Sequence, residues 1–517
     1  MSAFDVRDLL EAAGRSGGHR PGSNHPGGQG AAALPGMPPA EALAPPSPPA
    51  FLSPVVLAGC VRVVEFGLIA AIGVGVHAVQ LTGIVPLSPR YLTATLGIAA
   101  LAVLLLQAAG AYRMTAFRAL TNGALRLLGA WCLAFLLVAA VMVFAKVADH
   151  YSRVWLATFF AGGLAALVVE RFALVALVGA QMQRGHFDRR TAIVGGGAVA
   201  EDLIRALDAQ AESGVRIVGV FDDRGDMRSD TVVAGYPKLG SVNDLVAYAR
   251  TTRLDLIIFT IPITAEDRIL QMLAKLWVLP IDIRLSAQAS KLRLRPRAYS
   301  YLGSVPVLDV FDKPMADWDI VAKSLFDRVV GLAMLAALAP VMLGVALAVR
   351  LTSPGPVLFR QKRYGFNNEL IEVYKFRSMY VNQSDAGAAK LVTRDDPRVT
   401  PVGRFIRRTS LDELPQLFNV IKGELSLVGP RPHALQAKAA NTLYDQVVDG
   451  YFARHKVKPG ITGWAQVNGW RGETDTSDKI QKRVEHDLHY IENWSILFDI
   501  KIMLATPVSL FRTKNAY

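Results

Sequence analysis

Cysteine is almost missing: Cys60 and Cys132 are the only two in 517 residues, both inside apolar runs and neither at a metal-ligand spacing. That excludes a disulfide scaffold and a cysteine-ligated zinc site, and leaves both thiols structural. Charge is also scarce, with Asp, Glu, Lys and Arg making up 19% of the chain, below the roughly 25% of ordinary soluble domains. Acid is the deficient sign: 43 Asp+Glu stand against 56 Lys+Arg, for a net charge of +13 and a pI near 9.7. Beside long apolar runs, such a balance points away from nucleic acid and towards a cytoplasmic membrane face and anionic small ligands. No apolar core lies near Met1 to suit a signal peptide, so the first membrane helix is expected to act as the insertion signal.

What is plentiful is apolar: 52% hydrophobic residues and a mean hydropathy of +0.30. Residues 1–53 are rich in Pro, Gly, Ala and Ser and read as a disordered arm. Residues 54–184 then carry four apolar spans, about Val55 to Ile84, Leu92 to Ala111, Ala124 to Lys146 and Val154 to Ala180. Each is long enough to cross a hydrocarbon core of roughly 30 Å. Arg113, Arg118 and Arg126 cluster between the second and third, and Arg184, Arg189 and Arg190 follow the fourth. Arg90, Lys146 and Arg153 sit in the alternative loops. The bias places both ends of a transmembrane four-helix bundle in the cytoplasm. Glu170 and Arg171 interrupt the fourth span, as either a functional intramembrane pair or an early helix end.

Residues 185–315 read as a Rossmann-like α/β domain. Thr191 to Val194 is a strand, Gly195 to Ala200 a tight turn, Glu201 to Asp208 a helix, Val215 to Phe221 a second strand ending at Asp222-Asp223, and Leu254 to Thr260 another. The turn spells G-x-G-x-x-A with an acid after the next strand. A Tyr-x-x-x-Lys pair of the kind a short-chain sugar dehydratase needs is missing downstream, so the domain is read as regulatory or structural rather than redox.

Val329 to Val349 is long enough to span a membrane, yet Pro340 sits in its middle and cations flank both ends: Lys323 and Arg328 before, Arg350, Arg360, Lys362 and Arg363 after. A spanning helix would put the C-terminal third of the chain outside the cell. A helix over about 327–350 that breaks at Pro340 and returns to the same face avoids this.

The stretch that carries chemistry is Arg407-Arg408-Thr409-Ser410-Leu411-Asp412-Glu413-Leu414-Pro415, followed by Gly429-Pro430-Arg431-Pro432. Leu417, Phe418, Val420 and Ile421 continue at helical spacing. With Asp412 near an N-cap, Pro415 falls in the tolerant first turn, and the positive end of the helix dipole favours a bound anion. Adjacent helical side chains diverge by about 100°, so the two carboxylates suit different work, one attacking phosphorus while the other holds magnesium; taken alone, the dipeptide reads rather as a surface Asp-Glu pair ion-paired with Arg407 and Arg408.

In its blocks from about Lys323 to the C-terminus the chain resembles the bacterial polyprenol-phosphate sugar-1-phosphate transferases. The blocks are Lys323 to Arg328, Ser353 to Pro356, Tyr374 to Met379, Asp412-Glu413, Val428 to Pro432, Lys458 to Asn468 and Glu492 to Ser495. The resemblance implies that residues 316–517 form an α-rich monotopic catalytic domain with a re-entrant membrane helix. It departs at Ala339, where relatives often have Ser. It implies catalytic roles for Asp412 and Glu413, with Glu413 on Mg²⁺ as the cofactor. It also implies substrate contacts from Lys375, Arg407, Arg431, Pro432, Gln466 and Asp487. Asp487 and His489 are placed near the site, although Asp487 also reads as helix surface. Arg377 and Arg408 read as solvated surface charge, and Tyr490, Trp494, Phe498 and Phe511 as an interfacial aromatic surface.

The implied reaction joins UDP-sugar and undecaprenyl phosphate. Asp412 attacks the β-phosphorus, UMP leaves, and the lipid phosphate takes the phosphosugar. The block from Asn468 to Thr476 looks like the glucose-1-phosphate transferases of exopolysaccharide pathways, with galactose 1-phosphate as the alternative. Direct attack by the lipid phosphate is the rival mechanism, and a dinucleotide-binding membrane scaffold or sensor with an inactive transferase domain is the rival class. The expected setting is a bacterial inner membrane, with the lipid bilayer, a second copy of the chain and downstream glycosyltransferases as partners.

Overall fold

The computed structural model describes residues 53–81, 88–118, 120–183, 187–210, 214–224, 231–262, 265–287, 300–302, 305–315, 317–381, 396–432, 438–439, 442–443, 451–470 and 477–512. The proline-rich arm, Arg184 and residues 471–476 of the sugar-specificity block lie outside them. The chain divides near Asp188 into two compact units.

The first unit holds α1 (Pro54–Leu81), α2 (Pro89–Ala108), the short α3 (Met114–Arg118), α4 (Leu120–Phe144) and α5 (Arg153–Gln183). Its four long helices share one core, in which Ile69, Leu106, Trp131, Trp155 and Phe159 are fully buried. Helix α5 runs unbroken through Glu170 and Arg171, so the expected alternative of an early helix end is corrected. The physical reason is a partner on another helix. Glu65 of α1 is fully buried and accepts from Arg171 Nη2 at 2.5 Å and from Tyr112 Oη at 2.5 Å. Arg171 Nη1 also donates to the Ala111 carbonyl at 3.1 Å. A cation with these acceptors stays in the apolar core at far lower cost than an unpaired one. Among the described residues five helices are long and apolar enough to cross a membrane, and the chain is a membrane protein that also carries a mixed-sheet domain.

That sheet opens the second unit. Its elements are β1 (Arg189–Val194), α6 (Ala198–Asp208), β2 (Val215–Phe221), β3 (Val232–Val233), β4 (Tyr236–Gly240), α7 (Val242–Thr251), β5 (Leu256–Phe259), α8 (Glu266–Leu276), β6 (Asp282–Ser286), β7 (Ser300–Leu302) and β8 (Val305–Phe311). The order is β3-β4-β2-β1-β5-β6-β8-β7, with the five strands from β4 to β6 parallel and the edges antiparallel. Alternate residues face opposite sides, so Ala192, Val194, Ile257 and Phe259 pack under α7 and α8 while Ile193, Leu256 and Ile258 pack under α6. Since β1 sits between β2 and β5, the switch point of the parallel core lies at the turn after Val194. Gly195 there has φ +100, and a Cβ would meet Thr260 Oγ1 at 2.9 Å. Gly195→Ala is therefore expected to destabilise the chain by at least about 1 kcal/mol, read as a lower thermal midpoint; an unchanged midpoint would show that the turn tolerates a side chain.

The remainder contains α9 (Asp317–Thr352), β9 (Leu358–Tyr364), β10 (Leu370–Phe376), α10 (Pro401–Arg408), α11 (Gln416–Lys422), β11 (Ser426–Val428), β12 (Lys438–Ala439), β13 (Thr442–Leu443), β14 (Gly460–Thr462), α12 (Trp464–Val467), α13 (Ser477–Glu492) and α14 (Ile496–Arg512). Helix α9 stays helical through Pro340 and begins at Asp317, so the expected break at Pro340 and the expected start near 327 are corrected. It is anchored near its start by Lys323, whose Nζ reaches Asp499 at 2.6 Å and the Val428 carbonyl at 3.1 Å. Tyr490 is corrected from interfacial aromatic to core: it is buried and donates to the Val428 carbonyl at 3.0 Å and to Asp499 at 2.8 Å. Its hydroxyl has acceptors inside, which removes the cost of burying it.

Candidate active site

Two short elements bring the acidic pair to its neighbours. Helix α10 is capped by Thr400, whose Oγ1 accepts from the Gly403 amide at 2.8 Å, with Pro401 at its first position. It ends at Arg408, the chain turns at Ser410 with φ 60, and Leu411–Glu413 form a 3-10 turn. Helix α11 begins only at Gln416, after Pro415. The expectation of Asp412 at a helix N-cap is thus corrected. The pair sits on a tight turn between two helices, and side chains rather than a helix dipole set its field.

The buried Asn419 fixes α11 against β10. Its Oδ1 accepts from the Tyr374 amide at 3.0 Å and its Nδ2 donates to the Glu372 carbonyl at 2.7 Å. In the antiparallel β9–β10 pair Lys375 stands opposite Phe359, Gln361 opposite Val373 and Arg363 opposite Ile371. Directly opposed residues share a face, so Lys375 and Arg363 point to the same side. Lys375 Nζ donates to Glu413 Oε1 at 2.9 Å. Arg431 grips the same carboxylate as a fork, Nη2 to Oε1 at 2.5 Å and Nη1 to Oε2 at 3.3 Å.

Two arginines, Arg454 buried and Arg363 half-buried, hold the backbone behind that fork. Arg454 Nη2 donates to the Arg431 carbonyl at 2.9 Å, and Arg363 Nη1 donates to the Pro432 carbonyl at 2.7 Å. Arg454 is completely buried and ion-paired with Asp487 at 2.5 Å. Asp487, 2% exposed, is therefore not at the helix surface; it faces Arg454 rather than the dyad. Gln466, on α12, is also buried, and its Nε2 has no hydrogen-bond partner among the described residues. Arg407 lies close enough to Asp412 to act on its charge, while Arg408 is exposed. His489 is exposed beside Trp464 and Phe498. Arg377 is corrected from solvated charge to buried clamp: its guanidinium donates to the Ser353 and Pro354 carbonyls at 2.7 Å each, acceptors that replace water.

The electrostatics separate the two acids. Burial would raise Glu413, but Arg431 and Lys375 hold it well below its ordinary value. Asp412 makes no side-chain hydrogen bond among the described residues. Burial pushes it up to about 6, with Lys375 opposing and the Glu413 charge adding to the rise. Arg363 is lowered to about 10 by burial and by Arg431. The site thus presents one carboxylate neutralised by two cations and one held ready without a partner. Sequence reading missed Arg363 and Arg454 as site residues. The signals were a cation alternating with Gln361 along a strand and an arginine set among Tyr451, Phe452 and Ala453.

Residues 318–513 match the family model described as bacterial sugar transferase, and residues 107–287 match one described as CoA-binding domain. The UDP-glucose:undecaprenyl-phosphate glucose-1-phosphate transferase of Escherichia coli (strain K12) is 39% identical over 402 residues, 77% of this chain and 84% of that protein. The protein of the same description from Xanthomonas campestris pv. campestris is 36% identical over 408 residues, 78% of this chain and 84% of that one. The chain belongs to the bacterial sugar transferases. An undecaprenyl-phosphate glucose phosphotransferase from Komagataeibacter xylinus is 40% identical over 355 residues, 68% of this chain and 65% of that protein. Within this sugar transferase the dyad, Lys375, Arg431 and Gln466 all lie inside the matched catalytic region.

Proposed function

We propose that this chain transfers glucose 1-phosphate from UDP-glucose to undecaprenyl phosphate, releasing UMP and giving undecaprenyl diphosphate glucose, the first lipid intermediate of an exopolysaccharide or O-antigen. The observation that carries this reading is the extent of the likeness. Relatives described by that activity match over 77% and 78% of the chain, longer than everything after Asp188.

The geometry supports a nucleophilic route. Asp412 Oδ attacks the β-phosphorus, the bond to the UMP oxygen breaks, and the phosphosugar rests on Asp412. A phosphate oxygen of the lipid then attacks the same phosphorus and Asp412 leaves. Lys375 and Arg431, poised on Glu413, neutralise the charge that builds on the phosphoryl oxygens. Gln466 offers its unused Nε2 donor to the sugar phosphate.

Among the described residues no group of three or more His, Cys, Asp or Glu side chains is arranged for a metal. Magnesium needs only one or two carboxylates when substrate phosphates supply the rest. Glu413 Oε2 carries a single 3.3 Å bond, which leaves it lone pairs to give. The residues fit, with Glu413 holding the ion and the diphosphate completing its shell. Bound there, magnesium would neutralise diphosphate charge.

We read α9 as re-entrant and the active site as cytoplasmic, on the inner membrane. One body touches this helix along its length: Lys323 bonds Asp499, Gly331 faces Val420, Val349 packs with Phe376 and Ile406, and Arg350 Nη1 donates to the Gly355 carbonyl at 3.0 Å. The four helices of the first unit span the bilayer. The Rossmann-like domain is structural or regulatory: Asp222, after β2, is turned inward to accept from the Gly196 amide at 3.1 Å and from Arg224, so the chain's own anion sits at its glycine turn. Arg250 stacking on Phe452 and Asn367 Nδ2 donating to the Ala249 carbonyl tie the domain to the catalytic part.

The test is product formation from UDP-glucose and UDP-galactose by full-length protein in nanodiscs with undecaprenyl phosphate. Undecaprenyl diphosphate hexose from UDP-glucose is the expected result, and no UMP release from any UDP-sugar ends the reading. The acid limb is a second check. Asp412 attacks as its anion, so kcat/KM should fall about tenfold per pH unit below about 6. With an unshifted aspartate the fall would begin near 3.8. A profile flat down to pH 5 would remove Asp412 as the titrating nucleophile.

A further inference from the structure

The hairpin that carries Lys375 and Arg363 ends in a tight tip, Gly365 to Glu369, between β9 and β10. Two consecutive residues there, Asn367 at φ 49 and Asn368 at φ 62, hold the left-handed backbone that side chains rarely adopt. Asparagine tolerates it better than most, and both amides are in use. Asn367 Nδ2 donates at 2.9 Å to the Ala249 carbonyl, in the last turn of α7, where carbonyls have no partner inside the helix. Asn368 Oδ1 pairs with His455 Nδ1.

His455 belongs to the 3-10 turn Tyr451–Lys456, and the mixed-sheet domain holds that turn as well. Arg250, next to Ala249, stacks on the Phe452 ring at 4.7 Å, and Lys456 Nζ lies 5.2 Å from the ring centre of Trp277, just past α8. The same turn carries Arg454, the donor to the Arg431 carbonyl. Arg363, one residue from the end of β9, is the donor to the Pro432 carbonyl. Both elements that hold the backbone of the Arg431 fork therefore meet at one seam, and the far side of that seam is a different domain. A strained tip persists where its surroundings fix it, and close-packed links pass a displacement on rather than absorbing it.

Resting on the transferase reading, we propose that the mixed-sheet domain positions the phosphate grip: Asn367 and Arg250 are positioning residues through which α7 sets Arg431, by way of Arg363 and Arg454. A shift of α7 then retunes turnover of the UDP-sugar without touching the dyad. The competing role is a seam that only joins two domains.

Asn367→Gly keeps the left-handed backbone and removes only the amide, and Arg250→Met takes the cation from Phe452. In full-length protein in nanodiscs the double variant is expected to raise KM for UDP-glucose and lower kcat/KM for UMP release about fivefold to tenfold. A merely weakened fold lowers kcat through the active fraction and leaves KM where it was. In an Arg454→Lys background, where the support is already loosened, the same double change should cost less than about twofold more. Hydrogen exchange over residues 451–456 should quicken in the double variant, a readout that needs no turnover. An unchanged KM, an equal loss in both backgrounds, or unchanged exchange overturns the proposal. Quicker exchange in a protein whose wild type releases no UMP would sink the transferase reading and leave the mechanical link standing.

Discussion

Asp412→Asn is expected to release UMP from UDP-glucose roughly a thousandfold or more slowly than wild type, and also to unfold at a higher temperature. The loss of rate follows from chemistry: the amide keeps the shape of the 3-10 turn but cannot form the bond to phosphorus. The gain in stability follows from linkage. In the fold Asp412 holds its proton up to about 6, against an ordinary value of 3.8. The folded chain therefore binds that proton more tightly than the unfolded one, and stability is lost as pH rises from about 4 through 6. At pH 7.5 the ionised carboxylate costs up to about 3 kcal/mol, which the neutral amide does not. The stabilisation of the variant should shrink at pH 5, where wild type is largely protonated. UMP release and thermal midpoints at both pH values decide it. A variant that keeps more than about a tenth of wild-type turnover would favour direct attack by the lipid phosphate over a covalent route.

The membrane helices were legible because their apolar runs are longer than any soluble helix needs. The mixed sheet was legible because Ala192 to Val194 and Leu256 to Phe259 are bounded by glycine and polar residues and are apolar on both faces, as a strand buried on both sides must be. The dyad could be found but not its backbone. Nothing in Ser410 requires a positive φ, so the break between α10 and α11 is imposed by packing, with Asn419 locked to β10 and Ile406 buried under α9. Charged residues in the core were misread for a related reason. Along α13 the buried stripe runs Ile480, Arg483, Val484, Asp487, Tyr490 and Ile491. Counting only apolar members hides the two charged ones, whose partners, Trp470 and Arg454, are distant in sequence. Arg377 is the same case, since its acceptors belong to a turn more than twenty residues earlier.

The second large effect is expected at Arg454. Replacing it by Met leaves Asp487 buried without its cation, which costs about 3–5 kcal/mol. Burial already raises Asp487 despite the Arg454 charge, so part of the cost will be met by protonation, and the variant should lose more stability at pH 8 than at pH 6. Removing both charges, Arg454→Met with Asp487→Asn, is expected to restore most of the thermal midpoint, because a paired burial is replaced by a neutral one. Turnover should not return with it. The Arg431 carbonyl has lost its Arg454 donor, and under the proposed mechanism, in which the Arg431 fork now on Glu413 also serves the phosphate, its displacement is expected to cost about tenfold to a hundredfold in kcat/KM for UMP release. Arg454→Lys, which keeps one donor and the charge, should fall between. If stability and turnover recover together, the pair only holds the fold; recovered stability with lost turnover identifies Arg454, backed by Asp487, as the group that aims Arg431.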